Sequence, residues 1–243
     1  MQIRFFFLLL MTLFCVASAH SQAASVNLNQ TRFFSFSPSL QTNGYGVNFR
    51  WGQTSVQSKY SFYIVEFGKI KHPKEFRYVG NTRYNGFVFG RKFVAMPLKL
   101  GIGKYAVLGV RNSKNDIGVG WAYQLGASMA LLKPVYLFID EQPGMLGSHE
   151  KLVKYNGEND IDLENILGGA PFFNGFNQIK VVPGAFGKLA MVFSWGKYYN
   201  EYHSLEIGVL TEVYSQELPL MASTQNSYIY PSFYINFNLG KVW

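Results

Sequence analysis

The chain has almost no cysteine: one residue, Cys15, among 243. It lies inside MQIRFFFLLLMTLFCVASAH, which begins positively at Arg4, continues through a short apolar core from Phe5 to Val16, and reaches the small-x-small site Ala17-Ser18-Ala19. This is the layout of a secretory signal peptide, spanning 1–24 with cleavage near 19–24. Phe14 precedes Cys15 where a lipoprotein signal requires a small residue, so lipidation is not expected. The mature chain is then expected to lack disulfides, thiolate metal sites and cysteine nucleophiles. Charge is also scarce, at 15% of residues. No stretch offers 18 or more consecutive apolar residues, which excludes a transmembrane helix but not a barrel that crosses with strands.

Catalytic and metal-binding patterns are missing as well. There is no G-x-S-x-G, and GASMA (126–130) lacks the second glycine. His203-Ser204 is the only mature-chain His-Ser pair, and a solvated turn explains it better than catalysis. His20, His72, His149 and His203 show no ligand spacing. Glu158, Asp160, Asp162 and Glu164 alternate as calcium-binding carboxylates can, but the glycine and bidentate glutamate of an EF-hand loop are absent. A short helix from Asp162 to Leu167, ended by Gly168-Gly169, accounts for the same residues. GIGKYAVLG (101–109) lacks the G-K-[ST] of a phosphate loop and sits in strand context. No metal, cofactor or enzymatic activity is therefore expected.

What is abundant is aromatic side chains and glycine: 22 Phe, 16 Tyr, 4 Trp and 24 Gly. Aromatic residues suit a pleated surface, and glycine suits turns and crowded faces. Clean two-residue alternation recurs. In GYGVNFRWG, Tyr45, Val47, Phe49 and Trp51 oppose Gly44, Gly46, Asn48 and Arg50. The same pattern runs through VGWAYQLGASMAL, KLAMVFSWG, SLEIGVLTEV and the terminal SFYINFNLGKVW. Such periodicity means strands with one apolar face. The opposing face is mostly Gly, Ala, Ser and Asn rather than Lys and Glu, so the apolar face is assigned to lipid and the small, polar face to a lumen. Trp51, Tyr60, Tyr198, Tyr199, Tyr228 and Tyr230 fall toward strand ends, as interfacial girdles do. KYSFYIVEFGKIK (59–71) and GKYAVLGVR are apolar on both parities and leave their faces open.

The expected fold is all-β: an antiparallel up-and-down transmembrane β-barrel filling 25–243, with about ten strands and eight to twelve admissible. The ten are 32–40, 43–52, 59–70, 91–100, 103–111, 117–131, 133–140, 185–197, 204–215 and 228–241. NQIKVVPG (177–184) would raise the count to twelve if it added a pair. Short periplasmic turns are expected at 53–58, 101–102, 133–134 and 198–203, and long outer loops near 71–90, 141–184 and 216–227. Charge is unevenly distributed: residues 43–114 hold 13 Lys and Arg against Glu66 and Glu75, a net +11, whereas 140–164 hold seven acids against Lys151 and Lys154, a net −5.

The leader, the alternating strands and the closing FYINFNLGKVW together make the chain resemble small outer-membrane β-barrel proteins of Gram-negative bacteria. The resemblance implies an outer-membrane location and a final strand read by the barrel-assembly machinery through Phe237, Leu239 and Trp243. Phe usually ends that strand in the class; here it is Trp243, with Lys241 two residues before it. Arg50, Glu66, Glu206 and Glu212 are strand charges expected to face the lumen, since the lipid face would cost about 2–4 kcal/mol for an Arg near the midplane. Lys69, Lys71, Lys74, Arg77, Arg83, Arg91 and Lys92 are candidates for lipopolysaccharide phosphate, which guanidinium binds bidentately and ammonium as a point charge. The expected role is non-enzymatic: structural, envelope-assembly or surface interaction. A protein partner would dock on the 140–184 loop with its aromatic APFFNGFNQ, and nucleic acid is excluded as a partner. Two alternatives remain open. One is a narrow channel or transporter for a small solute; the other is a soluble secreted β-barrel binding a ligand.

Overall fold

A computed structural model describes residues 32–55, 59–72, 74–78, 84–109, 117–141, 150–155, 165–195, 201–222 and 226–242. The expected leader, Arg83, His149, the carboxylates at 158–164 and Trp243 fall outside these residues.

Thirteen strands form among the described residues, and eight of them close into one antiparallel barrel. The barrel strands are β1 (Arg32–Gln41), β2 (Gly44–Ser55), β3 (Lys59–Ile70), β6 (Phe93–Gly109), β7 (Gly118–Pro134), β11 (Lys180–Trp195), β12 (Glu201–Tyr214) and β13 (Ile229–Val242). Each pairs with its sequence neighbour in the wall, and β1 pairs with β13 to close it. The upper rim carries the tight turn at 42–43 and the three long connections, 71–92, 135–179 and 215–228. The lower rim carries both ends of the barrel chain and the three shorter connections.

The count is eight rather than ten because one expected break is continuous strand and one expected barrel strand leaves the wall. Gly101 and Ile102 stand mid-strand in β6, opposite Ile64 and Tyr63 on one side and Gly126 and Leu125 on the other. Gly101 is there for closeness, not for a turn: a Cβ on it would lie 2.9 Å from Cζ of Phe186, and one on Gly126 would lie 2.8 Å from Cε1 of the same ring. The inner wall is pared to backbone so that a phenylalanine fits against it. Lys133 and Pro134 end β7 instead of turning into another barrel strand. The chain beyond them, β8 (Tyr136–Asp140), leaves the wall and joins β9 (Glu150–Lys154) and β10 (Ile166–Gly169) in a separate three-stranded sheet. β10 takes the place of the end of the expected helix over 162–167. Residues 180–184 do not add a strand pair; they are the first turn-free residues of β11. Residues 201–203, expected in a turn, are the start of β12.

A two-residue pair, β4 (Arg77–Tyr78) with β5 (Phe87–Val88), completes the strands. A bridge between Asn85 and Gly169 ties this pair to the three-stranded sheet, and Phe87, Leu137, Tyr155 and Ile166 form a small core between them. The long connections thus build a folded cap on the upper rim.

Candidate functional site

Across the barrel wall as a whole the two faces differ in polarity. Phe34, Phe36, Phe49, Trp51, Tyr63, Phe67, Leu189, Ile207, Val209, Phe233, Ile235, Phe237 and Leu239 are exposed on the outside. Ser35, Ser37, Asn48, Arg50, Glu66, Lys99, Gln124, Lys188, Glu206, Glu212, Asn236 and Asn238 are buried inside. This is the polarity of an outer-membrane-type β-barrel, the reverse of a soluble one. β3 and β6 supply the exceptions that made their faces unreadable: Phe62, Ile64 and Tyr105 point inward. Tyr60 and Tyr230 do not join an outer girdle either; Tyr60 packs against the lower core and Tyr230 against the upper one. Tyr198 and Tyr199 lie outside the described residues, whereas Trp51 and Tyr228 are exposed.

The lumen charges balance: Arg50, Lys99 and Lys188 face Glu66, Glu206 and Glu212. Arg50 Nη1 donates to Glu206 Oε2 at 2.5 Å across the lumen. Glu206 Oε1 also accepts from Gln124 Nε2 at 3.0 Å and from the Tyr234 hydroxyl at 2.5 Å. Above this set, Lys99 Nζ donates to Glu66 Oε1 at 2.9 Å and pairs with Glu212. Lys188 pairs with the second oxygen of Glu66, and its ammonium lies 4.8 Å from the centre of the Tyr234 ring. Tyr214 donates to Glu212 Oε2 at 2.5 Å. Lys99 and Lys188 went unnoticed in the sequence. Strand parity would have found both: Lys99 opposes Leu98 and Leu100, and Lys188 opposes Leu189.

Apolar clusters close both ends of this polar stretch. At the lower end Phe33, Phe62, Tyr105, Ala122 and Val192 meet, with Tyr60, Val107 and Val242 packed against them. At the upper end Leu218, Leu220 and Met221 dip from the 215–228 connection onto Ile70, Ala95, Ala130, Leu132 and Val182. Backbone bonds hold that segment down: Lys92 N to Leu220 O at 2.9 Å and Ala222 N to Gly90 O at 2.7 Å. The Asn226 side chain accepts from Leu220 N at 3.0 Å. Arg50, Glu66, Lys99, Lys188, Glu206 and Glu212 are all buried in the polar stretch between these two clusters.

The basic candidates sit at the upper rim but not as one free cluster. Lys71, Lys74 and Arg77 are exposed, with Lys71 Nζ 5.2 Å from the centre of the Tyr45 ring. Lys69 and Lys92 are half-buried. Arg91 is buried and engaged by Glu75, to which its Nε donates at 3.0 Å and its Nη2 also donates. Glu75 in turn accepts from the His72 backbone N–H at 3.0 Å. Desolvation, with Lys74 beside it, lowers the His72 pKa below its ordinary value. His203 and Ser204 fall on opposite faces of β12; Ser204 is buried in the lumen and accepts from Asn238 Nδ2 at 2.9 Å, so the two form no catalytic pair.

The aromatic segment of the long loop lies on the cap side of β11. Phe172, Phe173 and Phe176 touch one another with ring centres 5.3 to 6.0 Å apart. They remain 54%, 81% and 40% exposed. Lys133 lies against this group, 5.3 Å from the Phe172 ring and 5.8 Å from that of Phe176, and donates to the Asn174 carbonyl at 2.9 Å.

No family model matches the chain, and no curated protein matches it. Among solved structures, Neisserial surface protein A (NspA) aligns over 88% of this chain and 95% of that chain, with a TM-score of 0.39 and 7% identity.

Proposed function

We propose that the protein is an integral outer-membrane β-barrel of a Gram-negative envelope, non-enzymatic, in which a sealed barrel anchors a folded cap that makes contacts at the cell surface. The inversion of polarity carries this reading. The outward belt of Phe, Tyr, Trp, Leu and Ile side chains runs around the whole wall, whereas a soluble monomer rarely exposes an apolar patch beyond about 300–600 Å². Hydrocarbon is the solvent that such a surface fits.

On this reading the leader is removed on export, the lower rim faces the periplasm and the cap faces out. Phe237 and Leu239 then belong to the assembly signal. The exposed Lys71, Lys74 and Arg77 would meet lipopolysaccharide phosphates, and the Phe172–Phe173–Phe176 group would meet a protein or lipid partner. The two plugs weigh against the narrow-channel alternative, because a solute would have to displace both apolar clusters and break the balanced charge network.

The test is detergent extraction of the membrane fraction, followed by gel migration with and without boiling and by planar-bilayer recording. Heat-modifiable migration without conductance steps is expected. Recovery in the soluble periplasmic fraction would overturn the membrane assignment, and defined steps abolished by Arg50→Gln would replace the anchor with a channel.

A further inference from the structure

Two outward rows cross the lower half of the wall on β1, β2, β3 and β6. The register links Arg32 to Gln53, Gln53 to Ser61 and Ser61 to Lys104. The row above runs through Phe34, Trp51, Tyr63 and Ile102 by the same pairings. All eight side chains are exposed. Ser61 and Gln53 are short beside Trp51 and Tyr63, and the step between the rows is an open groove of about 820 Å³. That volume is in the range of small-molecule sites.

Lys104 is out of place in an apolar wall. On β6 it lies between Ile102, 63% exposed, and Leu108, 55% exposed, two positions beyond Ala106. On β7 its neighbours are Tyr123 and Trp121, which also face out. Neither Lys104 nor Arg32 has an ion-pair partner among the described residues. Their strands are three spacings apart, about 14 Å, and both side chains are long enough to lean toward the groove from either side.

We propose that this groove seats an anionic glycerophospholipid, with its phosphate between Arg32 and Lys104 and one acyl chain along Trp51 and Tyr63. The inference rests on the membrane reading above. Charge complementarity selects the occupant: two unpaired cations flank neutral hydrogen-bonding groups, Gln53 and Ser61, which donate to phosphate oxygens. Trp51 and Tyr63 stack with ring centres 5.9 Å apart and planes at 27°, which gives a flat apolar ledge immediately above. The groove opens on the lower half of the wall, away from the long connections. A phospholipid of the periplasmic leaflet is therefore the occupant rather than lipopolysaccharide.

The test uses the full chain in vesicles, with Trp121→Phe, Trp195→Phe and Trp243→Phe leaving Trp51 as the only indole. Quenching by brominated phosphatidylglycerol is compared with quenching by brominated phosphatidylcholine at equal mole fraction. About threefold enrichment of the anionic lipid at Trp51 is expected, in keeping with two exposed charge contacts. The enrichment should disappear in Arg32→Gln/Lys104→Gln and shrink with added salt. Equal quenching by the two lipids, or enrichment that survives the double substitution, overturns the site while leaving the membrane reading intact. Absence of quenching by either lipid overturns the membrane reading itself. Native mass spectrometry of the unaltered chain and of Lys104→Gln, released from mixed micelles of the two lipids, keeps the test available if the tryptophan variants do not fold. Retained phosphatidylglycerol on the unaltered chain alone supports the site, and equal retention of both lipids by both chains refutes it.

Discussion

Glu66→Gln is the most informative single change in the lumen. Glu66 is fully buried and holds two lysines, one on each carboxylate oxygen. Removing its charge does not affect the two equally. Lys99 keeps Glu212, whereas Lys188 has Glu66 as its only ion-pair partner among the described residues. A buried charge left without its partner costs about 3–5 kcal/mol. The amide oxygen of Gln still accepts one hydrogen bond, so the lower end, about 3 kcal/mol, is expected. Urea unfolding of the barrel in phosphatidylcholine vesicles, followed by tryptophan fluorescence and unboiled gel migration, measures it. The second half of the test is Glu66→Gln/Lys188→Met, which restores neutrality and should recover at least half of the loss. Salt should change neither value much, since buried pairs are poorly screened. A single-variant loss below about 0.5 kcal/mol, or a double variant as unstable as the sum of its singles, would refute the pairing.

The plugs, the pared inner wall and the aromatic patch make separate predictions. Leu220→Ala should lower stability by about 2–4 kcal/mol and still give no conductance steps in planar bilayers, because the lower cluster around Phe33 and Phe62 remains. Gly101→Val should destabilise by about 1–3 kcal/mol in the same urea assay, since the added side chain meets Phe186. A neutral or stabilising result would return Gly101 to the role of a turn. Phe173→Ser should stay within about 0.5 kcal/mol of the parent, because the ring is 81% exposed and supports no core.

Strand existence was legible where the two faces differ in character. GYGVNFRWG places small or polar groups inside and its rings outside, and the described part of SFYINFNLGKVW does the same except at Tyr234, whose ring is buried in the lumen; β2 and β13 follow that parity. Legibility failed where the lumen itself needs apolar bulk. Phe62 and Ile64 face inward beside Glu66 on the same strand, so β3 shows no clean period. Glycine was the other source of error. A glycine pair of functions, turning and making room, looks the same in one sequence, and only the packing of Phe186 against Gly101 and Gly126 distinguishes them. The cap was illegible for a third reason. Its sheet joins segments of 135–179 with short pieces of the 71–92 connection, and such pairing leaves no local period.

Six charges stand inside the barrel among the described residues, although hydrophobic replacements of buried ion pairs are often as stable. Register accounts for them. Glu66 and Lys99 stand directly opposite each other on β3 and β6, and Arg50 reaches Glu206 across the lumen from β2 to β12. A slip of one residue would turn every inner side chain of that strand outward. On the membrane reading, a slipped wall with an inner face of only Ser, Ala and Gly would meet lipid at little cost, and several pairings would compete. Lys99 on the lipid face would instead cost about 2–4 kcal/mol near the midplane, while Glu66 inside lost one of its two partners. The charges therefore contribute less to the depth of the native state than to the height of its competitors. Lys99→Met should leave the unfolding free energy of the correctly folded fraction within about 1 kcal/mol of the parent when paired with Glu212→Gln, yet lower the yield of heat-modifiable barrel on refolding. An unchanged yield would refute the assignment of register to this pair.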